Sequence, residues 1–206
     1  TYSVSSAPSD AFFRISVKRV GAASSYLHDH VNVGDVLEAR APQGGFVIDA
    51  SERRPLALLS AGVGVTPLLS MLREVVYEGK RIRRMRRTFF VQSARNLAEL
   101  PFRDELEELS ARNDQSIHWV RLLSRPESGA RKGKDFETPG RINIDLLKAL
   151  LPFDDFDFYL CGPGAFTQEL YDALRALRIS DERIHAETFG PSTLRRRLDK
   201  GAIEVE

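Results

Sequence analysis

The sequence has little cysteine and no long apolar run. Its 206 residues contain one cysteine, Cys161, which excludes an internal disulfide and a metal cluster held by several thiolates. No apolar run approaches the roughly 18 residues of a membrane-spanning helix, so we expect no membrane partner. The net charge is +1, and this balance argues against nucleic acid as a partner. No secretory signal pattern is visible, and the default expectation is a cytoplasmic protein without a resident metal.

The most informative stretch present is a glycine turn that follows an apolar run. The run at 56–59 leads into the letters GVGVTP at 62–67. Glycines at such a turn let backbone amides approach a pyrophosphate, and the helix that follows offers unpaired N–H groups. Pro67 replaces the usual third glycine and suits the first helical position, where Thr66 is expected to cap the helix. The turn predicts nicotinamide-nucleotide binding by Gly62, Gly64, Val65, Thr66 and Pro67, against the alternative of a plain structural turn.

From residue 53 onward, apolar strand patterns alternate with helical patterns. The predicted strands are 56–60, 88–93, 117–122, 156–161 and 183–186, and the predicted helices are 67–77, 97–112, 144–150 and 165–177. This alternation predicts a doubly wound α/β domain with a parallel sheet over residues 53–190. The polar stretch 124–140 is predicted as a long loop, and the charged stretch 191–206 as a linker or tail.

The first 52 residues have a β-rich pattern. Strands are predicted at 14–20 and 36–41, and a short helical turn at 25–31 is predicted to be capped by 21–24. Two or three strands are too few to close a barrel. The pattern therefore indicates a partial domain whose earlier strands are missing from the chain.

Three predicted strand ends carry residues suited to a site. The first is the glycine turn, the second is Cys161, Gly162 and Pro163, and the third is Ser124 with Arg125. Because parallel strands align their carboxyl ends, we expect all three to converge on one edge of the sheet. Cys161 is equally consistent with a small buried hydrophobe and with a functional thiol.

An absence at the second strand bears on nucleotide choice. NAD sites commonly place an acidic residue about 20 residues past the glycines, where it bonds the ribose hydroxyls. Here the second strand leads to Arg95 instead. Arg95, Ser124 and Arg125 suit a 2′-phosphate, which a guanidinium can bind with two parallel hydrogen bonds. The sequence thus favours NADPH over NADH.

These motifs together resemble the ferredoxin–NADP reductase superfamily. Its features occur in order as Tyr2 with Ser3, the turn at 62–67, the letters CGP at 161–163 and ETFG at 187–190. The likeness covers essentially residues 1–190. The letters SSYLHDHV at 24–31 look most like the reductase half of flavohaemoglobins. The resemblance implies part of an antiparallel flavin-binding β-barrel at 1–52, a nucleotide domain at 53–190, and FAD (or FMN) with NADPH or NADH as cofactors.

The resemblance also implies roles on the flavin side. Tyr2 is expected to pack on the isoalloxazine, Ser3 to bond near the flavin N5, and Ser24 to face the flavin pyrophosphate from a helix N-terminus. Phe189 is expected to cover the flavin until the nicotinamide displaces it. The family's Arg-x-Tyr-Ser signature departs here, because its arginine would lie one place before Thr1.

On the nicotinamide side, the resemblance implies that Thr66 and Cys161 border the ring and position it for hydride transfer. Glu187 is expected nearby, assisting proton movement. With Ser3, these residues are the predicted catalytic set. The cofactors perform the chemistry, and the protein supplies orientation and electrostatics.

The expected function is a flavin-dependent NAD(P)H oxidoreductase that passes single electrons to an iron–sulfur or haem partner. A plant-type iron–sulfur domain following Glu206 is one expectation. One alternative is the reductase domain of a flavohaemoglobin-type nitric-oxide dioxygenase. Another is a nucleotide-sensing module that has lost its flavin. The basic stretch 80–87 is interpreted as a solvated helix end, against a docking patch for an acidic electron carrier.

Overall fold

The computed structural model describes residues 1–113 and 115–197. Its centre is a six-stranded sheet with the order β4-β3-β2-β1-β5-β6, in which every neighbouring pair is parallel. The strands are β1 Leu56–Ala61, β2 Thr88–Ala94, β3 Ile117–Leu123, β4 Thr138–Pro139, β5 Asp157–Pro163 and β6 Ile184–Phe189. The predicted doubly wound α/β domain is confirmed. The short β4 lies within the predicted loop and was missed.

Helices cover both faces of this sheet. They are α2 Val65–Arg81, α3 Arg103–Ala111, α4 Ile144–Leu150 and α5 Gly164–Ala176, whereas α1 Ala22–His30 belongs to the N-terminal segment. Alternate side chains of β1 enter two separate cores. Ala57 and Leu59 pack in a core with residues of α4 and α5, whereas Leu56 and Leu58 pack in a core with residues of α2 and α3. A strand buried on both faces reads as a continuous apolar run, as this one does.

The strands predicted before residue 53 are wrong. Up to residue 52, the structure contains a single antiparallel bridge, between Val4 and Ile15, and no strand at 14–20 or 36–41. A strand needs a neighbour to accept its ladder of hydrogen bonds. No described residue pairs with 36–41 as a strand or bridge, and Val33 and Val36 are essentially fully exposed. The short helix is confirmed as α1, with Gly21 at its N-cap.

The predicted helix 97–112 is interrupted. A 3₁₀ turn, Leu97–Glu99, precedes α3, which begins only at Arg103. Pro101 cannot donate a backbone hydrogen bond, and Phe102 adopts a left-handed φ of 62°. These two residues break the helix and form a loop at the carboxyl end of β2.

The basic stretch at the end of α2 is only partly solvated. Arg86 is buried and its Nη2 donates to Asp157 Oδ2 at 2.7 Å. The interpretation as a solvated helix end is therefore wrong for Arg86. Both residues lie at the amino ends of the strands, at the edge of the sheet opposite the glycine turn.

Residues 191–197 form neither helix nor strand, but they pack along α5. Arg195 N donates to Gln168 Oε1 at 2.8 Å, and Arg197 N donates to Tyr171 Oη at 2.7 Å. Glu206 and the predicted continuation beyond it lie outside the described residues. Of the described helices, none has the length and apolar character to cross a membrane.

Candidate functional site

The glycine turn begins where β1 ends at Ala61. The 3₁₀ turn Gly62–Gly64 leads directly into α2. Gly62 has a φ of +56°, a conformation that costs little only for glycine. A Cβ at this position would meet nothing within 4 Å. The backbone of the turn is therefore open on the side where a ligand could approach it.

Gly64 joins this turn to the end of β5. A Cβ at Gly64 would lie 2.0 Å from the carbonyl oxygen of Cys161. A Cβ at Gly162 would lie 2.8 Å from the ring of Phe166 and 3.1 Å from the Cβ of Ala61. Both glycines are thus required for the two turns to pack against each other. The predicted convergence of these turns is what the structure shows.

The two turns flank the point at which the strand order reverses. From β1 the chain proceeds through β2, β3 and β4 on one side, and then crosses to β5 and β6 on the other. In doubly wound sheets, ligands bind in the crevice beyond the carboxyl ends of the strands at this switch point. The geometry therefore supports a nucleotide site between β1 and β5.

The predicted capping of α2 by Thr66 is wrong. The N-cap is Gly64, and the Thr66 hydroxyl donates to the carbonyl oxygen of Val63 at 3.0 Å. Pro67 is the third helical residue rather than the first, although it still lies in the first turn, where its missing N–H is tolerated. Val65, Thr66 and Pro67 are all buried.

A cavity of about 260 Å³ lies beside the turn. Gly62, Val65 and Thr66 line one wall. Residues 16–18 form a second wall, and the loop that contains Pro101 and Phe102 forms a third. The cavity therefore lies between the N-terminal segment and the carboxyl edge of the sheet. Its volume suits a single ring rather than a whole dinucleotide.

Sequence reasoning did not single out the third wall. Gln92, buried at the end of β2, donates from Nε2 to the carbonyl oxygen of Pro101 at 3.0 Å. Its Oε1 accepts from Trp119 Nε1 at 3.2 Å. Gln92 thereby fixes the loop that carries Phe102. A polar residue at the end of an apolar strand was the signal, but its partner comes from a broken helix that was predicted as continuous.

Cys161 and Glu187 are direct neighbours in the β5–β6 register. Cys161 is completely buried. Burial, with a smaller contribution from the Glu187 charge, raises the pKa of the Cys161 thiol well above its usual range. Burial likewise raises the pKa of the half-buried Glu187. The thiol is therefore neutral at physiological pH, which suits packing against a ring rather than nucleophilic attack.

The predicted flavin residues occupy separate positions. Tyr2 is exposed, Ser3 is half-buried, and Phe189 is half-buried against the core beside α2. The Ser24 hydroxyl accepts from the backbone N–H groups of Val20 and Gly21, each at 2.9 Å. It thus closes the start of α1 and is already occupied by local bonds.

The predicted phosphate residues come together at the same edge of the sheet. Arg125 N donates to the carbonyl oxygen of Arg95 at 2.7 Å, and Ser124 N donates to that of Ala94 at 3.0 Å. Arg95 pairs with Glu99 at 3.3 Å. Arg125 is exposed and has no ion pair within residues 1–113 and 115–197. Pro163 is exposed at the end of β5, beside Phe189 in the register.

Comparison with known families matches residues 58–171 to the oxidoreductase NAD-binding domain. This match spans more than half of the chain. The chain belongs to that family. The matched region begins in β1 and includes the glycine turn and Cys161, so the elements at the switch point are those of the family's nucleotide-binding fold.

Proteins similar to this chain match its N-terminal segment as well. A flavohemoprotein of Rhizobium meliloti is 39% identical over 197 residues, which cover 92% of this chain and 47% of that protein. The flavohem-like FAD/NAD-binding domain of nitric oxide dioxygenase from Vibrio cholerae is 33% identical, with a TM-score of 0.76 over 92% of this chain and 76% of that one. The chain spans about half the length of its curated relative.

A flavohemoglobin from Malassezia yamatoensis, solved with bound FAD and heme, has a TM-score of 0.69 at 26% identity, over 92% of this chain and 46% of that chain. These comparisons confirm the resemblance to the reductase half of flavohaemoglobins and the identification as an NAD(P)H-dependent oxidoreductase module.

The described residues fit a nicotinamide nucleotide. The open backbone of Gly62 and the cavity that Gly62 and Thr66 line leave room for a ligand at the start of α2. On the flavin side, the exposed ring of Tyr2 and the first turn of α1 are available to a ligand, and that turn holds no acidic residue to repel a phosphate.

Proposed function

We propose that the chain is the reductase module of a flavohaemoglobin-type electron-transfer protein. It takes reducing equivalents from NAD(P)H through FAD and passes them on to a haem partner. The observation that carries this proposal is the glycine turn at the switch point, where Gly64 packs on Cys161. The family membership and the names of the relatives support it.

The module has two parts in this proposal. Residues 1–52 belong to a flavin-binding β-barrel, residues 53–190 form the nucleotide domain, and residues 191–206 form a tail. Support comes from the abrupt change in burial after residue 55 and from the family match that begins at residue 58.

When bound, the nicotinamide supplies a hydride and the flavin accepts it. The residues of the chain orient and shield this transfer. Val65 and Thr66 form a fixed wall, because the Thr66 hydroxyl is tied to Val63 and cannot rotate toward water. Cys161 adds a neutral, polarisable contact on the β5 side of the turn. Both are proposed to border the nicotinamide ring.

Glu187 is proposed to hold a proton near the site. Burial raises the pKa of Glu187, which makes its carboxyl easier to protonate than an exposed one, and a protonated carboxyl can donate a hydrogen bond or release a proton. Tyr2, Ser3 and Phe189 are proposed to contact the flavin ring. Ser24 is proposed to act through the N–H groups of α1, whose first turn its hydroxyl holds in place.

NADPH is proposed as the preferred nucleotide. The exposed guanidinium of Arg125, beside Arg95 and the Ser124 hydroxyl, presents unpaired donors where a 2′-phosphate is expected. Glu99 competes for Arg95, so Arg125 carries most of this preference.

A haem acceptor is favoured over an iron–sulfur acceptor. The relatives at 33–39% identity are flavohemoproteins and a nitric oxide dioxygenase domain. The whole protein is accordingly proposed to be a flavohaemoglobin-type nitric-oxide dioxygenase. The basic stretch after α2 does not suit electron delivery, because it lies at the edge of the sheet opposite the glycine turn.

Anaerobic mixing of the FAD-loaded chain with NADPH tests the proposal. We expect the visible flavin absorbance to bleach. Gly62→Ala should weaken NADPH binding about tenfold or more, equivalent to losing one charge-assisted hydrogen bond to the phosphates. Gly133→Ala is the matched control, because Gly133 also has a positive φ and open surroundings but lies away from the switch point.

The alternative of a nucleotide sensor without flavin predicts a different result. Such a protein would stay colourless with added FAD while still binding NADPH. A yellow protein that NADPH fails to bleach would overturn the proposed reductase function outright.

A further inference from the structure

Asp10 lies in the N-terminal segment but is held by α2. Its side chain is 2% exposed. Arg73 donates to its two oxygens from Nη2 and Nε, at 2.6 and 2.9 Å. The Tyr77 hydroxyl and the backbone N–H of Ala7 each donate to the same carboxylate at 2.7 Å. These four bonds satisfy the buried carboxylate and fix its position against the helix.

A second acidic residue closes the arrangement. Glu105 of α3 accepts from Arg73 Nη1 at 2.7 Å and from both terminal nitrogens of Arg14, at 2.9 and 3.1 Å. Arg14 Nη2 also donates to the carbonyl oxygen of Ser5 at 2.7 Å. We call Asp10, Arg14, Arg73 and Glu105 the ion network.

The ion network is more than a set of surface pairs. Arg73 is 18% exposed and Glu105 is 21% exposed, and each guanidinium binds a carboxylate through two nitrogens. Bidentate, desolvated ion pairs have a fixed geometry, and removal of one partner leaves the other as an uncompensated buried charge. The Arg73 hydrogen bonds are the main cause of an Asp10 pKa held well below its usual range, so the Asp10 carboxylate stays charged at any working pH.

Both ends of the ion network lie near the proposed site. Arg73 is in α2, about two turns after Thr66, or roughly 10 Å along the helix. Ser5 and Ser6 are buried and follow Ser3 after one intervening residue, Val4. Ser70 Oγ, on the same helix, donates to the carbonyl oxygen of Ser6 at 2.7 Å. The segment proposed to face the flavin is therefore bound to the helix proposed to face the nicotinamide.

We propose that the ion network positions the flavin-contacting segment, Tyr2 and Ser3, against the first turn of α2, and so sets the approach of the two cofactor rings. This inference rests on the proposed function. It assigns Asp10, Arg14, Arg73 and Glu105 as positioning residues, none of which touches the reacting atoms. The rate of hydride transfer falls steeply as the distance between the reacting atoms grows. Small displacements of this segment therefore slow the step, while nucleotide binding at the sheet edge is preserved.

Arg73→Lys tests the proposal in the full chain loaded with FAD. Lysine keeps the charge but cannot fork to Asp10 and Glu105 together. We expect the rate constant for flavin reduction at saturating NADPH to fall about tenfold or more. The dissociation constant for NADP⁺ should change less than about twofold, since the nucleotide edge is intact. Glu108→Gln is the control, because Glu108 forms an ion pair with exposed Arg112, the C-cap of the same helix, and with no other group among the described residues.

Amide hydrogen exchange gives a second readout that needs no turnover. In Arg73→Lys, the amides of residues 4–6 should exchange faster, while those of β1 stay as in the wild type. Asp10→Asn, which also breaks the fork, should reproduce both effects.

Unchanged reduction in Arg73→Lys would overturn the positioning role, even if exchange at 4–6 accelerates. Slower reduction with an equal loss of NADP⁺ affinity and faster exchange in β1 would also overturn it, by showing general unfolding. A wild-type protein that NADPH does not reduce would instead refute the proposed function. In that case unchanged exchange at 4–6 in Arg73→Lys would still reject the link between the segments.

Discussion

The nucleotide-binding sheet and the N-terminal segment contrast in how their residues find partners. In β1 and β2 nearly every residue is buried, whereas every residue from 32 to 45 is exposed. The sheet supplies its own neighbouring strands and its own helices within the described chain. The N-terminal segment has β-type residues but no adjacent strand to complete its ladder. The difference shows that a strand pattern is realised only where a partner is present.

The two regions are joined mainly through polar contacts. The ion network and the Ser70–Ser6 bond tie residues 5–14 to α2 and α3. Phe46 and Ile48 add partial apolar packing on the core beside α2. The N-terminal segment is therefore placed by the sheet rather than by its own core.

Hydrogen exchange should show the largest difference between the two regions. Amides of β1 and β2 should exchange only through global unfolding, and those at 32–45 about a thousandfold faster or more. Exchange measured by mass spectrometry on the full chain checks this. Comparable protection in both regions would contradict this, because it would mean that the backbone amides of residues 32–45 are hydrogen-bonded to a partner.

Gly64→Ala should be the most damaging single substitution at the switch point. Its Cβ would collide with the Cys161 carbonyl at 2.0 Å, and backbone must move to relieve this. We expect the free energy of unfolding to fall by about 3 kcal/mol, measured by urea titration. Gly62→Ala meets open space and should cost only about 1 kcal/mol, for its left-handed backbone. Equal losses for both would contradict the packing of the two turns.

Arg125→Ala should separate the two nucleotides. Loss of a charge-assisted contact to the 2′-phosphate should raise the KM for NADPH about 10- to 100-fold and leave that for NADH unchanged. Steady-state reduction of an artificial acceptor measures both. Arg112→Ala, which removes an exposed arginine at the C-cap of α3, serves as the control. Similar losses with both nucleotides would remove the 2′-phosphate argument.

Glu187→Gln should have the smallest effect, and one that depends on pH. Burial raises the pKa of Glu187 in the folded protein, so ionisation opposes folding once the pH exceeds the unfolded value of about 4.3. The variant should therefore be more stable than the wild type at pH 8, and the gain should shrink as the pH falls below that value. Thermal unfolding at several pH values checks this. If the stability gain of the variant instead grew as the pH fell, the pKa of Glu187 would be lowered by folding, contrary to the prediction.

The sequence predicted the sheet well because strands buried on both faces are continuous apolar runs. The C-terminal ends of α2 and β6 were predicted several residues short. The last turn of α2 is polar, and the last residues of β6 are only partly buried. The break at Pro101 and Phe102 was missed because the residues after it restore a helical pattern. The contact between Gly64 and Cys161 was expected from strand alignment, but its closeness depends on backbone geometry that no spacing encodes.

Other parts of the candidate site could not be predicted. The ion network joins Asp10 to Arg73, 63 positions later in the sequence, and Arg73 to Glu105, a further 32 positions on, because the fold places α2 and α3 beside the N-terminal segment. Gln92 acts on Pro101 through a side-chain amide within an otherwise apolar strand. Such long-range polar contacts have no periodic signature in a single sequence.

Titration of the ¹⁵N-labelled chain with NADP⁺, followed by NMR, tests the central claim that the nucleotide binds at the switch point between β1 and β5. We expect the largest saturable shift changes at the amides of Gly62, Gly64 and Thr66 and at those of Cys161 and Gly162. Changes centred instead at the amino ends of the strands, or no saturable change at millimolar nucleotide, would contradict it.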